Sequence, residues 1–281
     1  MDPDIKALSD IPDAADRARE ASGLLDRYQA TLGELSLIRR EAVEDMIASG
    51  MSHAQIAEAL GVSRGRVSQL TKVGPPPERV FWGTDTLTVA LGGKLEAPKK
   101  ASGKPGPVLA QEDFQAYLDL SRSTKAMGLD SVYEIVQPPG MIRLNRDNLI
   151  VICGPRLSPL IAQIIEADPA IQFGSDDQGW YLTDRNSGKL YRSPMDDGEN
   201  RDVGYFARFS RPDGRGTFVY IAGIHAMGSN GVIHYLDQHL PEVYREVKTR
   251  RFSGLIECEF DSETRHIMSS NLITPLYAHG G

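Results

Sequence analysis

The stretch Ser52–Lys72, SHAQIAEALGVSRGRVSQLTK, decides how the fold of this chain is interpreted. Ser52 stands three residues before Gln55, which is the spacing of a capping box and predicts the start of a helix. Gly61 predicts the end of that helix, because glycine adopts a left-handed backbone without steric cost. Ser63 predicts the N-cap of a second helix. The stretch therefore predicts two short helices joined by a tight turn.

The second of these helices, Ser63–Lys72, is predicted to have an apolar face and a basic face. Val67 and Leu70 recur at i, i+3 spacing and form the predicted inward face. The predicted outward face holds Arg64, Arg66, Gln69 and Lys72. The helix contains no acidic residue, so this face suits a polyanion.

Three groups of residues in the same stretch form a recognisable pattern: Gln55-Ile56-Ala57, Leu60-Gly61-Val62-Ser63 and Val67-Ser68-Gln69-Leu70. With them, residues from about 34 to 72 resemble a helix-turn-helix DNA-binding unit, as in region 4 of sigma factors and in many bacterial regulators. The resemblance implies that the second helix enters the major groove while the preceding helix crosses the DNA backbone. The alternative is an ordinary helical hairpin with a solvated basic face.

Double-stranded DNA is therefore the predicted partner. The predicted DNA-contacting residues are Arg39, Arg40, Ser63, Arg64, Arg66, Ser68, Gln69 and Lys72. Gln69 is the predicted base reader, because an amide can form two hydrogen bonds with adenine. Arg39 and Arg40 are predicted to contact phosphate. One short recognition helix gives little specificity, so paired half-sites and a homodimer are expected.

Composition sets limits on the remaining function classes. The chain has 281 residues and a net charge of −7. Local positive charge at the second helix of the motif and at Arg39-Arg40 fits a small DNA-binding domain on a larger acidic body. A run of about 18 apolar residues is absent, as is a secretory signal, which predicts no membrane partner and a cytoplasmic location. Cys153 and Cys258 lie in apolar, strand-like runs and are predicted to be buried free thiols. No cofactor is predicted.

We divide the chain into a flexible N-terminus (1–12), a helical DNA-binding domain (13–73), a proline spacer (74–80) and a larger domain (81–281). Three consecutive prolines define the spacer, because proline cannot continue a helix. Within the helical domain, Thr31–Gly33 predicts a break between two helices, about 14–31 and 34–48. The first of these helices either caps the bundle or pairs with its copy in another chain, and its apolar spacing leaves both alternatives open.

The larger domain alternates strands, glycine loops and helices. Thr86–Leu91, Leu149–Cys153 and Thr217–Ala222 are apolar and β-branched, and each runs into a loop that contains glycine. This alternation predicts an α/β domain with a mostly parallel, helix-flanked sheet. The whole chain is therefore predicted to be α+β, with an all-α helix-turn-helix bundle followed by this α/β domain.

The glycine loops predict a ligand site, because ligands of such sheets bind beyond the carboxyl ends of the strands. A helix Val232–Lys248 is predicted to begin directly after the last loop, so that its amides would face an anion. The predicted ligand-binding residues are Gly92, Gly93, Lys94, Gly154, Arg156, Gly223, His225, Gly228, Ser229 and Asn230. A small anionic or nucleotide-like ligand is expected, and the domain would sense it or hold a dimer. Glycines that only allow tight turns are the alternative.

A transcription regulator is preferred to an enzyme on these grounds. The alternative is a nucleotide- or nucleoside-processing enzyme that carries a DNA-binding head, with Glu134 and His225 as its candidate catalytic residues. Such a glutamate would need burial and a raised pKa. No metal site is predicted, since His234 and His239 lie five apart and neither cysteine belongs to a CxxC pair.

Overall fold

The computed structural model of the chain describes residues 5, 7–8, 11–72, 75–96 and 106–279. The chain forms two compact units, Met1–Pro77 and Glu78–Gly281. Parts of the predicted flexible N-terminus and of the predicted spacer lie outside the described residues. The last residue of the proline run begins a short 3-10 helix, Pro77–Phe81.

Three helices of the first unit lie wholly within its described residues: α1 (Ala14–Ala48), α2 (His53–Leu60) and α3 (Arg64–Lys72). The predicted break near Thr31–Gly33 is wrong, because α1 is one helix of 35 residues. Thr31 is accommodated within the helix, where its hydroxyl donates to the carbonyl of Arg27 at 3.0 Å. Gly33 lowers helix propensity by only about 1 kcal/mol, which a long helix tolerates.

A small apolar core holds the three helices together. It consists of Val43, Ile56, Ala57, Val67 and Leu70, with Met46 and Met51 packed against it. Each helix contributes at least one buried residue, so the bundle has a core of its own. The inward positions of α3 that the sequence predicts, at residues 67 and 70, are therefore confirmed.

The second unit contains three helices and thirteen strands among its described residues. The helices are α4 (Gln111–Ala126), α5 (Pro159–Ile165) and α6 (Ala226–Val247). The strands are β1 (Leu87–Gly92), β2 (Lys94–Leu95), β3 (Pro107–Val108), β4 (Ser131–Val136), β5 (Leu149–Ile152), β6 (Ile171–Asp176), β7 (Gly179–Asp184), β8 (Leu190–Arg192), β9 (Arg201–Ser210), β10 (Thr217–Gly223), β11 (Phe252–Phe260), β12 (Ile267–Leu272) and β13 (Tyr277–Ala278).

Eight of these strands form one mixed sheet in the order β12-β11-β9-β10-β5-β1-β4, with β13 paired to β11. The neighbours β10, β5, β1 and β4 are parallel. The neighbours from β10 to β12 are antiparallel. The predicted mostly parallel sheet is therefore wrong for about half of the strand pairs. A tight turn explains the change, because the Arg211 amide donates to the Gly216 carbonyl at 2.8 Å and joins β9 to β10 as a hairpin.

Helices cover both faces of the parallel half of this sheet. On one face α4 and α6 pack over a core that includes Leu120, Ile221 and Leu236. On the other face α5 packs over a second core that includes Ile161 and Tyr205. The helix after β1 and the helix after β5 thus lie on opposite faces, and this arrangement defines a topological switch point between the two strands.

Candidate functional site

The turn between α2 and α3 has the geometry that its sequence predicts. Ser52 and Gln55 form a reciprocal capping box, in which the Ser52 amide donates to Gln55 Oε1 at 2.8 Å. Gly61 adopts a left-handed backbone with φ +64° and ends α2. Ser63 Oγ accepts the Arg66 amide at 3.1 Å and caps α3. Local hydrogen bonds therefore fix the angle at which α3 leaves the turn.

The outward face of α3 is open to solvent. Ser63, Arg64, Arg66 and Gln69 are exposed, whereas Ser68 is half-buried. Arg66 Nη1 donates to Gln69 Oε1 at 3.1 Å, so the two side chains of this face are ordered together. The Lys72 side chain lies outside the described part of the structure. The arrangement presents two arginines and an amide on one short helix.

The two arginines at the end of α1 differ in environment. Arg39 is exposed, as a residue that contacts phosphate must be. Arg40 is half-buried, and its Nε donates to Glu44 at 2.8 Å while its Nη1 donates to the Pro75 carbonyl at 3.4 Å. Arg40 therefore ties α1 to the segment after α3, and its contact with phosphate stays a prediction.

In the second unit, the parallel strands bring the predicted glycine loops to one edge. Gly92 ends β1, Gly154 follows β5 and Gly223 ends β10. The first two are close neighbours, because a Cβ on Gly92 would lie 2.6 Å from Cys153 Sγ. Close strand packing is thus one reason for glycine at this position.

The loop predicted at Gly223–Gly231 is instead the beginning of a helix, because α6 starts at Ala226 rather than at Val232. Gly228 lies in its first turn, where a Cβ would meet the Val203 carbonyl oxygen at 2.4 Å. This glycine lets the helix approach β9 closely. The sequence pattern of small residues therefore encodes helix-to-sheet packing here.

A carboxylate of the chain itself occupies the start of α6. Asp202 is buried, and its Oδ2 accepts the amides of His225 at 3.1 Å and Gly228 at 2.6 Å. Its Oδ1 accepts the Ser193 hydroxyl at 2.6 Å. Burial raises the pKa of Asp202 to about 6, against the hydrogen bonds that lower it. The predicted anion site at this helix start is wrong, since Asp202 already fills it.

The remaining residues predicted around that helix have protein partners. His225 Nε2 lies 2.7 Å from Asp196 Oδ1. Ser229 is buried within α6. Asn230 is also buried, and it faces a separate cavity between α4 and α6. Sequence reasoning missed Asp202 because it lies more than twenty residues before the amides that it caps.

A charged group that the sequence analysis overlooked lies at the switch point. Asp113, in the first turn of α4, is 9% exposed. Burial raises the pKa of Asp113 to about 6, while the positive charges of Lys94 and Arg156 lower it. The pKa of the Cys153 thiol is raised to about 12, by burial and by Asp113, so this thiol stays protonated. We call Gly92, Gly93, Lys94, Asp113, Cys153, Gly154 and Arg156 the strand-end cluster.

The residues of the enzyme alternative do not have the required environment. Glu134 lies on the edge strand β4, where both of its oxygens accept from the guanidinium of Arg146. Its side chain is 41% exposed, so it is not the buried acid that general acid catalysis would need. The other candidate catalytic residue, His225, is held by Asp196 as described above.

Among the described residues, no group of three or more His, Cys, Asp or Glu side chains is placed to hold a metal ion. His234 binds Ser270 and Gln238, and His239 packs against the Tyr235 ring with centroids 4.7 Å apart. Cys153 and Cys258 are free and buried. Within the described part of the chain, no helix combines the length and hydrophobicity that crossing a bilayer requires.

One comparison with known proteins matches this chain. The family model for region 4 of sigma-70 matches residues 31–74, which cover the end of α1 together with α2 and α3. The resemblance drawn from the sequence is therefore confirmed for the helix-turn-helix region. No curated protein matches the chain, and no solved structure matches it.

Proposed function

We propose that this protein is a sequence-specific, DNA-binding transcription regulator that acts in the cytoplasm. The observation that carries the proposal is the sigma-70 region 4 match, which coincides with a capped helix whose outward face is basic. From Gly61 to Lys72 the chain contains three basic residues and no acidic one, within a molecule of net charge −7. Such local charge supports binding to DNA through one surface only.

In this proposal α3 lies in the major groove. Gln69 forms two hydrogen bonds with an adenine edge, and the bond from Arg66 holds its amide in place. Arg64, Ser63, Ser68 and Lys72 contact phosphates beside it, and Arg39 and Arg40 contact the backbone from the end of α1. Phosphate contacts supply affinity, whereas the amide supplies sequence discrimination.

DNA binding is tested by selecting duplexes from a random library with the full-length protein and measuring affinity in a gel-shift titration at low salt. We expect Arg64→Ala and Arg66→Ala each to weaken binding by at least fivefold. Arg19→Ala is the matched control, because Arg19 is an exposed arginine of α1 that pairs with Asp16 at 2.7 Å. Equal affinity in all four proteins, or no selected duplex at all, would exclude the proposal.

We extend the proposal to a homodimer that forms through α1. This helix exposes a row of large apolar side chains: Leu25 (58%), Leu32 (62%), Leu35 (58%) and Ile38 (62%). The first two lie seven residues apart and the third follows at i+3, which is the spacing of a coiled-coil seam. A second copy of α1 would cover this row, so the pairing alternative for this helix is the one we choose.

Sedimentation velocity tests the dimer. We expect the parent protein to sediment as a dimer at micromolar concentration and the double variant Leu32→Glu, Leu35→Glu to sediment as a monomer. Arg27→Glu places the same charge at an exposed position of α1 outside the row. A monomeric parent, or a dimer that survives the double variant, would contradict this interface.

The second unit is proposed to sense a small anionic or nucleotide-like molecule at the strand-end cluster. Lys94 and Arg156 bring positive charge to the switch point. Gly93 and Gly154 have no side chain, so a ligand at this edge of the sheet could approach their backbone. The buried Asp113 lies beside them and can accept a donor from a sugar or base. Ligands of α/β sheets bind in the crevice at such a switch point.

Equilibrium binding of AMP to the full-length protein tests this site. We expect Lys94→Ala with Arg156→Ala to reduce AMP affinity at least tenfold, because each substitution removes a charge-assisted hydrogen bond to the ligand. Lys125→Ala removes an equally basic side chain that is 77% exposed at the far end of α4. Saturable AMP binding that the double variant leaves unchanged would place the site elsewhere.

A further inference from the structure

A cavity of about 600 Å³ lies between α4 and α6, and it belongs to neither of the sites described above. Its volume falls within the range of small-molecule sites in proteins. The wall from α6 is formed by Asn230, Ile233, His234 and Asp237, which share one helical face at i, i+3, i+4 and i+7. The wall from α4 holds Gln115, Asp119, Arg122, Ser123 and Ala126. Two helices that pack together thus face each other here with mainly polar residues.

The turn between β11 and β12 closes one side of this cavity. Arg265 and His266 from that turn, together with Ile267, line it. Arg265 Nη2 lies 3.3 Å from Glu112 Oε1 on α4, so an ion pair links the turn to the opposite helix. The guanidinium also packs over the Phe260 ring, 4.7 Å from its centroid. The third wall is therefore held in place by charge and by stacking.

Asn230, which lines this cavity, has a buried hydrogen-bond acceptor without a partner. The residue is only 7% exposed, and its Oδ1 atom is buried with no hydrogen-bond partner among the described residues. Such an acceptor costs about 1–3 kcal/mol when it stays unpaired, so buried amides almost always have partners. Rotation of the Asn230 side chain would turn Oδ1 toward the cavity, where an N–H or O–H group of a ligand would satisfy it.

The charges around the cavity are balanced. Among the lining residues, Asp119 and Arg122 pair with each other at 2.8 Å, and Asp237 and Arg265 add one carboxylate and one guanidinium, of which Arg265 also pairs with Glu112. Desolvation lowers the pKa of His234, against the carboxylates of Asp237 and Asp119, which raise it. His234 is neutral at pH 7, and both of its nitrogens are engaged, with Ser270 Oγ at 2.7 Å and Gln238 Nε2 at 2.9 Å. A polyanion gains little net attraction from such a lining.

We infer that the cavity between α4 and α6 binds a small polar molecule of zero net charge, up to the size of a nucleoside, that donates a hydrogen bond to Asn230. The carboxylates and guanidiniums on its walls match the separated charges of a zwitterion or the polar edges of a nucleobase. Ile233, Ile267 and Ala126 provide the apolar surface against which its uncharged part packs. This inference rests on the proposed sensor role of the second unit and names a second ligand class for it.

The test uses full-length protein and a panel of the four common ribonucleosides and the twenty standard amino acids. Binding is measured by isothermal titration calorimetry and by the shift in melting temperature. At least one panel member without net charge is expected to bind saturably, and for a nucleoside the corresponding 5′-triphosphate is expected to bind at least tenfold more weakly.

Two variants locate the binding. Ser123→Trp fills the cavity from its rim, and Asn230→Leu removes the unpaired acceptor at similar volume. Each is expected to reduce the affinity of the binding member at least tenfold. The matched control is Lys125→Trp, which places the same ring on the exposed side of α4 and is expected to leave affinity within twofold. Since Ser123 lies at the rim, that variant keeps the test valid if Asn230→Leu does not fold.

The inference is overturned if no panel member binds, or if binding is unchanged in Ser123→Trp. Gel-shift titrations on the same preparations separate this outcome from failure of the proposed function. DNA binding without panel binding removes the cavity ligand but keeps the regulator. Panel binding without DNA binding removes the regulator but keeps the cavity ligand.

Discussion

Asp113 is a buried carboxyl group whose environment lowers the stability of the protein. Its pKa is raised from 3.8 to about 6, chiefly by burial. Below pH 4 the group is protonated in both the folded and the unfolded chain. Between pH 4 and 6 the unfolded chain releases the proton while the folded chain keeps it. The free energy of unfolding therefore falls by about 1.4 kcal/mol for each pH unit in this range. Above pH 6 this loss is complete.

We therefore predict that Asp113→Asn stabilises the second unit at pH 7 by about 3 kcal/mol, since an amide avoids the buried charge. The variant should also flatten the fall in stability between pH 4 and 6. Chemical denaturation followed by tryptophan fluorescence measures both effects. Glu263→Gln, at an exposed position, is the control and should change neither. A less stable Asp113→Asn protein at pH 7 would mean that the charged form is stabilised by its neighbours.

The outward face of α3 separates affinity from specificity in a way that two substitutions can resolve. Arg64→Ala removes one positive charge from each copy of α3. The slope of log affinity against log salt concentration should therefore become shallower by about 0.9 for each phosphate that is no longer neutralised. Gln69→Ala removes no charge and should leave that slope unchanged. It should instead lower discrimination at one adenine position by about 1–3 kcal/mol. Affinity titrations on matched and mismatched duplexes, over a range of about 50 to 200 mM KCl, measure the two quantities.

At the scale of elements, glycine has opposite roles in α1 and α6. A Cβ on Gly33 of α1 would meet nothing within 4 Å. Gly33→Ala should therefore stabilise the first unit by about 0.5–1 kcal/mol through helix propensity. A Cβ on Gly228 of α6 would lie 2.4 Å from the Val203 carbonyl oxygen and 2.7 Å from the Gly223 Cα. Gly228→Ala should destabilise the second unit by about 1–3 kcal/mol, because helix and sheet must separate.

Thermal denaturation followed by circular dichroism for Gly33→Ala, and by tryptophan fluorescence for Gly228→Ala, measures these changes. The two substitutions add the same methyl group to a helix, so each is the control for the other. A stabilising Gly228→Ala would show that the start of α6 does not rest on β9. A strongly destabilising Gly33→Ala would instead support the helix break that the sequence predicted there.

The elements that the sequence predicts well are those with local signals. The capping box at Ser52 and the left-handed Gly61 are interactions within a few residues, and both occur as predicted. The start of α6 depends instead on Asp202, which is distant along the chain, so the local sequence showed only a glycine-rich loop. The expectation of a mostly parallel sheet failed for the same reason. Whether two strands run parallel or antiparallel depends on which strands pair, and these can be distant along the chain. The strand-end cluster was predicted without Asp113, since an aspartate in a first helical turn ordinarily faces solvent.

At the scale of the whole molecule, the two units have separate cores. The core of the first unit includes Ile56, and one core of the second includes Ile221; neither residue has exposed surface. Both tryptophans, Trp82 and Trp180, belong to the second unit, so tryptophan fluorescence reports that unit alone. Circular dichroism reports both units, since α1 to α3 add helix signal from the first. The two probes can therefore follow the two units in one sample.

We predict that Ile56→Ala and Ile221→Ala act on different transitions. Each removes the same buried atoms and should cost about 2–5 kcal/mol in its own unit. Ile56→Ala should lower the midpoint of a helical transition seen by circular dichroism and leave the fluorescence transition in place. Ile221→Ala should lower the fluorescence midpoint. If either variant shifts both midpoints equally, the units unfold as one cooperative block, and a signal from the second unit could then reach the DNA-binding head through stability alone.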